Sequence, residues 1–296
     1  MAELDMKKVK NEIAKKLKAG DIEPHEAQIL EQRAPAAHAI ASVPAKGGHA
    51  AKSYVKTGVP GFDALFEKGI PKGSTILMAG GAGSGKTIFC LQMAVYQATH
   101  GKKCFYMSFE ENEEHLMEHM RDFGWDPEAL IDSGMLRIKK FSPLEVGERM
   151  GAVLARERGS VPVELAPMIL GEGFEPDFIV LDSLSAVASA FPGKDGYYRI
   201  YIEQLFDFFE SLGSTTFLIA ETTQVPEIFS PTGIEEFLAD GVIVLYNIKR
   251  GDTRESAVEV LKMRGSKHEK KIVAMQITDR GINVYPEQQI FGDIKG

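Results

Sequence analysis

Short apolar runs alternate with amphipathic stretches through the middle of the chain. The runs at 75–79, 104–109 and 178–181 have the length of buried strands and contain no charged residue. In segments 88–99 and 196–212, apolar residues recur at the spacing of a helix that buries one face. Strands that alternate with helices in this way predict a parallel sheet covered by helices.

The last third of the chain has a different rhythm. Strands are predicted at 242–246, 257–263, 271–278 and 282–285, with short turns at 250–252 and 279–281 that favour antiparallel hairpins. The other predicted elements are a strand at 136–140, a helix at 144–158, a loop at 159–176 and a strand at 215–220. We therefore predict an α/β fold in which a mixed, mostly parallel sheet is flanked by helices and extended by C-terminal antiparallel strands.

Residues 1–33 predict a helical hairpin in front of the main domain. Gly20 is placed to end a first helix, and a second helix runs to about Arg33. Two roles stay open for this hairpin: it docks on the main domain or on a neighbouring subunit, or it is a solvated appendage. Residues 34–53 are rich in Ala, Pro and Gly, as is typical of a linker, which places the main domain at 54–296.

The stretch from Gly80 to Thr87 fits the phosphate-loop pattern G-x-x-x-x-G-K-[ST] and lies between a predicted strand and a predicted helix. Glycines let the backbone curl around phosphate oxygens, and the amides of the loop and the helix N-terminus point at the bound anion. Lys86 adds a positive charge for the β- and γ-phosphates, and the Thr87 hydroxyl is placed to ligate Mg²⁺. We expect the phosphates to be bound by Gly81, Ala82, Gly83, Ser84, Gly85, Lys86, Thr87 and Ile88.

Carboxylates follow two of the predicted strands. Glu110 and Glu111 come directly after the run at 104–109, and Asp182 comes after the run at 178–181. Ligands of α/β sheets bind at the carboxyl ends of the strands, so these side chains are candidates for the same site. Asp182 has the place of the aspartate that holds Mg²⁺, directly or through water, although it could instead cap the helix that follows.

Three further groups of residues carry weaker signals. The polar stretch 221–224 ends a predicted strand and could sense a γ-phosphate. His115 and His119 have a spacing that could ligate a metal, but no third ligand is in view, and a solvated histidine face is the favoured interpretation. Cys90 and Cys104 have neither disulfide-framework nor metal-ligand spacing and are expected in the core.

Charge and hydropathy narrow the class of protein. The chain carries 42 acidic and 34 basic side chains, a net charge of −8, which weighs against a protein that coats nucleic acid. It has no apolar run near the length of a membrane span, and its lysine-rich N-terminus lacks the apolar segment of a signal peptide. We expect a cytoplasmic protein without a membrane partner.

Several motifs coincide with one family. From about Tyr54 to Pro286, roughly four fifths of its length, the chain closely resembles a single KaiC-type domain of the RecA-like P-loop NTPases. Besides the phosphate loop, the matching pieces are Thr57-Gly58-Val59-Pro60-Gly61-Phe62-Asp63, Ser108-Phe109-Glu110-Glu111, Phe123-Gly124-Trp125-Asp126, Leu181-Asp182-Ser183-Leu184 and Leu261-Lys262-Met263-Arg264-Gly265-Ser266-Lys267-His268.

The resemblance implies a hexameric ring with ATP bound between subunits. Glu110 and Glu111 match the carboxylates that activate the attacking water, and the segment Lys262-Met263-Arg264 matches residues that reach the neighbour's nucleotide. Residues two apart on a strand share a face, so Lys262 and Arg264 can address one anion together. An arginine supplied in this way stabilises charge on the transferring phosphoryl group.

One departure bears on the reaction. The family includes a protein with two tandem domains, the second of which phosphorylates its own Ser and Thr residues just before a strand. The corresponding stretch here, Gly233 to Asp240, offers carboxylates instead of acceptor hydroxyls. We expect a ring-forming regulatory or signalling ATPase with a protein client that the sequence does not name, and no autophosphorylation at this place.

The sequence leaves two other functions open. A DNA recombinase or repair protein of the RecA/RadA type shares the ATPase core, but the acidic main domain and the lack of any Phe before Phe62, which removes the F-x-x-A linker motif, count against it. The third hypothesis is an assembly factor in which bound ATP sets the oligomeric state and turnover is slight.

Overall fold

The structure, a computed structural model, describes residues 53–145, 174–191, 193 and 195–290. The strands in this part of the chain are β1 (Tyr54–Val55), β2 (Ile70–Pro71), β3 (Thr75–Gly80), β4 (Cys104–Ser108), β5 (Leu136–Lys140), β6 (Phe178–Asp182), β7 (Thr215–Glu221), β8 (Gly241–Arg250), β9 (Thr253–Met263), β10 (Ile272–Thr278) and β11 (Gly281–Gln289). The helices are α1 (Lys86–Thr99), α2 (Glu113–Asp122), α3 (Pro127–Asp132), α4 (Leu184–Ala188), α5 (Asp195–Leu212) and α6 (Glu235–Leu238), with a 3-10 helix at Phe62–Leu65.

Nine of these strands form one mixed sheet in the order β11-β10-β9-β8-β3-β7-β6-β4-β5. Neighbouring strands are parallel along the part of the sheet with the order β8-β3-β7-β6-β4-β5. On its other side, β8 pairs antiparallel with β9, β9 with β10, and β10 with β11. The predicted α/β class, with a mostly parallel sheet extended by C-terminal antiparallel strands, is confirmed.

The central strand β3 is buried on both of its faces. Ile76 and Met78 belong to a core cluster that includes Phe89 of α1, while Leu77 belongs to a second cluster that includes Leu205 of α5. Helices therefore cover the two sides of the sheet, and successive residues of β3 point into different apolar layers. This is why the strand is a continuous apolar run in the sequence instead of an alternating one.

The predicted elements agree with the observed ones except in the C-terminal hairpins. Strands β8 and β9 extend to Arg250 and Thr253, so the turn is tighter than the predicted turn at 250–252, and β11 continues to Gln289. The hairpin and linker at 1–52, and most of the helix and loop predicted at 144–176, lie outside the described residues. Cys90 and Cys104 are buried, as expected.

The register of the parallel strands brings four strand ends to one edge of the sheet. Gly80 at the end of β3 pairs with Glu221 at the end of β7, and Ser108 at the end of β4 pairs with Asp182 at the end of β6. Asp182 itself ends β6, the phosphate loop follows Gly80, and Glu110 and Glu111 come after Ser108 with Phe109 between them. None of the helices in the described part of the chain is long and apolar enough to cross a membrane.

Candidate active site

The phosphate loop joins the end of β3 to the start of α1. Gly83 and Gly85 have φ angles of 72° and 94°, a conformation that L side chains rarely adopt. Gly85 is the N-cap of α1 and supplies no side-chain acceptor, so the first amides of this 14-residue helix are free to bind an anion. The hydroxyl of Ser84 is buried and, among the described residues, has no hydrogen-bond partner. An orphaned donor in this loop fits a phosphate ligand.

Lys86 folds back over the loop. Its Nζ donates to the carbonyl oxygens of Gly80 and Gly81 at 3.0 and 3.1 Å, and the side chain is buried. Burial lowers the pKa of Lys86, while the charges of Glu221, Asp182 and Glu110 act in the opposite sense. The ammonium is therefore held at the bottom of the cleft by weak neutral acceptors that an anion can replace.

Asp182 lies at the centre of a buried polar cluster. The hydroxyl of Thr87 and the phenol of Tyr106 donate to its Oδ2 at 2.8 and 2.7 Å. Burial raises the pKa of Asp182 to about 6; Glu110 adds to the rise, and the bonds from Tyr106 and Thr87 and the charge of Lys86 oppose it. The carboxylate and the Thr87 hydroxyl are hard oxygen donors, the kind that Mg²⁺ prefers. The N-cap of α4 is Ser183, so Asp182 is not needed for capping.

Glu110 and Glu111 lie in a turn after β4 and have different partners. The Ser108 hydroxyl accepts hydrogen bonds from the Glu110 and Glu111 amides at 3.3 and 3.0 Å, which shapes the turn. Glu110 Oε1 accepts a hydrogen bond from the Ser183 hydroxyl. Glu111 Oε2 lies 2.9 Å from Nε2 of His119 on α2. The two carboxylates are thus held by different groups.

These parts share one cleft of about 310 Å³. Its lining residues come from the phosphate loop, the two-carboxylate turn, α2 and the ends of β6, β7 and β10: Ala82, Gly83, Gly85, Lys86, Thr87, Ile88, Glu110, Glu111, His119, Asp182, Ile219, Glu221 and Ile277. The structure therefore brings most of the predicted phosphate, metal and catalytic residues together. Gly81 and Ser84 belong to the same loop but do not line the cleft.

Lys262, Met263 and Arg264 lie elsewhere. Met263 pairs with Gly241, which pairs through β8 with Ile76 at the other end of β3 from Gly80. That separation is about 13 Å along the strand. Within one chain these residues are therefore remote from the phosphate loop.

The two basic side chains of this segment donate hydrogen bonds to backbone carbonyls in and around α6. Lys262 Nζ donates to Glu236 and Ala239 at 2.9 and 2.6 Å, and Arg264 donates to Phe237 at 2.9 Å. Lys262 and Arg264 do point to one place, as expected from their spacing. The Met263 side chain is buried in its own chain, which leaves only its backbone for a ligand.

Sequence reasoning missed three contacts at the site. Tyr106 is a buried strand residue, and the pairing of β4 with β6 brings its phenol to Asp182. Ser183 lies in a quoted motif, but the motif does not reveal that its hydroxyl donates to Glu110. The side chain of His119 is 45% exposed, in line with the solvated face that the sequence favours, but it also lines the cleft. The available signal was the spacing in the sequence. His119 follows Glu111 by eight residues, and about two turns of helix return the chain to the same side as the carboxylate turn. Within the described residues, no group of three His, Cys, Asp or Glu side chains forms a metal site.

The weak signal at 221–224 does have a structural counterpart. Glu221 lines the cleft, and Gln224 Nε2 donates to the Ala82 carbonyl of the phosphate loop at 3.1 Å. The segment after β7 therefore contacts the loop directly.

Comparisons with known proteins agree with this geometry. The family model described as "ATPase: KaiC" matches residues 55–289. The chain is 32% identical over 241 residues to the circadian clock protein KaiC3 of Synechocystis sp. and 28% identical over 246 residues to the circadian clock oscillator protein KaiC of Synechococcus elongatus. These matches cover 78% and 80% of this chain but only 45% of each relative, so the chain spans less than half the length of the curated relatives it matches.

A solved structure is also similar. The crystal structure of a KaiC-like protein from the hyperthermophilic archaeon Pyrococcus horikoshii OT3 matches with a TM-score of 0.65 and 31% identity. The match covers 79% of this chain and all of the archaeal chain.

Proposed function

The chain belongs to the KaiC family of ATPases, and we propose that it binds ATP with Mg²⁺ in the cleft and hydrolyses it to ADP and phosphate. The observation that carries the proposal is the meeting, in one cleft, of the phosphate loop, the buried Thr87–Asp182 pair and the two carboxylates of Glu110 and Glu111. Each is a component that phosphoryl transfer to water requires.

The chain's own residues divide the work. The amides of the phosphate loop and the ammonium of Lys86 bind and orient the β- and γ-phosphates. Thr87 and Asp182 would hold Mg²⁺, which supplies positive charge to the phosphate oxygens. A water held by Glu110, with Glu111 as the other candidate, attacks the γ-phosphorus in line; the carboxylate takes its proton, and the bond to the β-phosphate oxygen breaks to release ADP.

We also propose that the site is completed by a neighbouring subunit in a ring, with a hexamer as the expected size. Support comes from the position of Lys262 and Arg264 at the sheet end remote from their own phosphate loop. Lys262 near the end of β9 and Arg264 just after it direct two cations to one place, which is suited to an anion, and we propose that this anion is the nucleotide of the next subunit. We propose, finally, that the chain has a regulatory role in the cytoplasm and exerts it through a protein client.

The test is phosphate release by the full chain with ATP and Mg²⁺, compared with the double variant Glu110→Gln/Glu111→Gln. The amides keep the size of the carboxylates but cannot take a proton, so we expect turnover to fall by about a hundredfold or more. Binding of a fluorescent ATP analogue should stay nearly unchanged. Unchanged phosphate release in the double variant would overturn the assignment.

A further inference from the structure

Glu111 has a titratable partner inside the cleft. Nε2 of His119 lies 2.9 Å from Glu111 Oε2, and both side chains are partly exposed, at 45% and 36%. The imidazole can therefore exchange protons with solvent while it contacts a candidate catalytic carboxylate. Neither ATP binding nor the fold requires this contact.

Packing of α2 fixes His119 in this place. Asn112 caps the helix by accepting from the His115 amide at 2.9 Å, and Leu116 and Met120 are fully buried against the sheet. On the solvent side, Arg121 pairs with Glu114 at 2.8 Å. With the helix rotation set by both faces, His119 is directed towards the carboxylate turn.

The two carboxylates of the turn consequently differ in kind. The partner of Glu110 is the hydroxyl of Ser183, which stays uncharged at any ordinary pH. The partner of Glu111 is an imidazole, the side chain type whose charge changes between about pH 5 and 8. A change of pH in this range therefore alters what surrounds Glu111 and leaves the Glu110–Ser183 contact as it is.

The other charged groups that line the cleft come from three elements and the carboxylate turn. They are Lys86 on α1, Glu110 beside Glu111, Asp182 at the end of β6 and Glu221 at the end of β7. Lys140 on β5 also reaches the carboxylate turn, where its Nζ donates to the Glu110 carbonyl at 3.3 Å. The carboxylates still outnumber the two lysines. A charged His119 thus lies among groups of mostly opposite sign.

We propose that His119 is a positioning residue for Glu111 and that its protonation slows ATP hydrolysis. As an imidazolium it forms an ion pair that holds the carboxylate against α2, turned away from the attacking water. As a neutral ring it keeps only a weaker hydrogen bond, so Glu111 is free to turn towards the attacking water. This inference rests on the proposed ATPase activity and adds a pH control to it.

The test is the pH profile of phosphate release between pH 5.5 and 8.5, with kcat and KM separated, for the full chain and two variants. His119→Gln keeps an amide donor near the position of Nε2 but does not titrate. His115→Gln is the matched control, because His115 lies one turn earlier on the same helix, is exposed and does not line the cleft.

We expect wild-type kcat to fall by about threefold or more from pH 8 to pH 6, with little change in KM. His115→Gln should follow the wild type, and His119→Gln should fall less, because it keeps only the fall that protonation of Asp182 causes in all three proteins. Coincident profiles of wild type and His119→Gln, or a flat wild-type profile, would overturn the inference alone. Absence of phosphate release by the wild type at every pH would overturn the proposed function with it. His119→Asn serves if the glutamine variant does not fold.

Discussion

The hydroxyl of Thr87 donates a hydrogen bond to the carboxylate of Asp182 over 2.8 Å, and this bond joins the start of α1 to the end of β6. Both groups are presented by elements whose backbones are fixed in the core, so the pair is formed before any ligand arrives. The arrangement places a carboxylate where water is scarce, and burial raises its pKa to about 6. The site therefore holds a charge that the fold alone does not favour.

The first prediction concerns stability without nucleotide or Mg²⁺. The folded-state pKa of Asp182 is raised from 3.8 to about 6, so the group favours the folded state when protonated, and this contribution is lost as pH rises through about 6. Asp182→Asn removes the buried charge and keeps an acceptor for Tyr106. At pH 8 we expect its free energy of unfolding to exceed that of the wild type by up to about 3 kcal/mol, and at pH 5 by about half as much. The advantage disappears only below about pH 3.8, where the wild-type carboxyl is protonated in both the folded and the unfolded state. Chemical denaturation at both pH values measures it.

The same variant should be inactive. If Asp182 holds Mg²⁺ as proposed, the variant would deprive the metal of a charged ligand, and we expect phosphate release to fall by about a hundredfold or more at pH 8. A stable but active Asp182→Asn protein would contradict the role given to this residue.

The second prediction concerns Tyr106. Its phenol donates to Asp182, and this bond lowers the pKa of the carboxylate. Tyr106→Phe removes the donor, so the pKa of Asp182 should rise further and more of the group should be protonated at pH 6.5. We expect the Mg²⁺ concentration for half-maximal turnover to increase severalfold at pH 6.5 and much less at pH 8. An equal increase at both pH values would indicate a packing defect instead.

The third prediction concerns assembly. Lys262 and Arg264 are bonded to the carbonyls of 236–239, and engagement of a neighbour's nucleotide requires these weak bonds to be exchanged for bonds to phosphate. We expect ATP with Mg²⁺ to increase the particle mass measured by light scattering, and ADP to do so less. A mass that does not depend on nucleotide would indicate a constitutive assembly.

The sequence was sufficient for the fold class and for the phosphate loop because both depend on local patterns. Apolar runs such as 75–79 predict buried strands, and the glycines before Lys86 predict the loop. The bounds of β8 and β9 were missed because residues 247–256 are mostly polar, and their pairing depends on backbone hydrogen bonds that leave no apolar alternation.

The parts of the site that were missed depend on tertiary packing. His119 was assigned to solvent because the helical spacing shows only that His115 and His119 share a face; the burial of Leu116 and Met120 decides what that face contacts. Tyr106 has the appearance of an ordinary strand residue, and only the pairing of β4 with β6 brings its phenol to Asp182. Neither relation has a fixed spacing that a motif could capture.

The most direct test of a site shared between two subunits mixes two variants that are each defective in one half of that site. Glu110→Gln/Glu111→Gln lacks its own proton acceptors but supplies Arg264, while Arg264→Ala has an intact cleft but supplies no arginine to its neighbour. If Arg264 acts across the interface, equal mixing in a ring of random order should create working sites at roughly a quarter of the interfaces, with phosphate release to match. Activity no greater than that of the two variants measured separately, in particles shown by mass to contain both, would contradict the account.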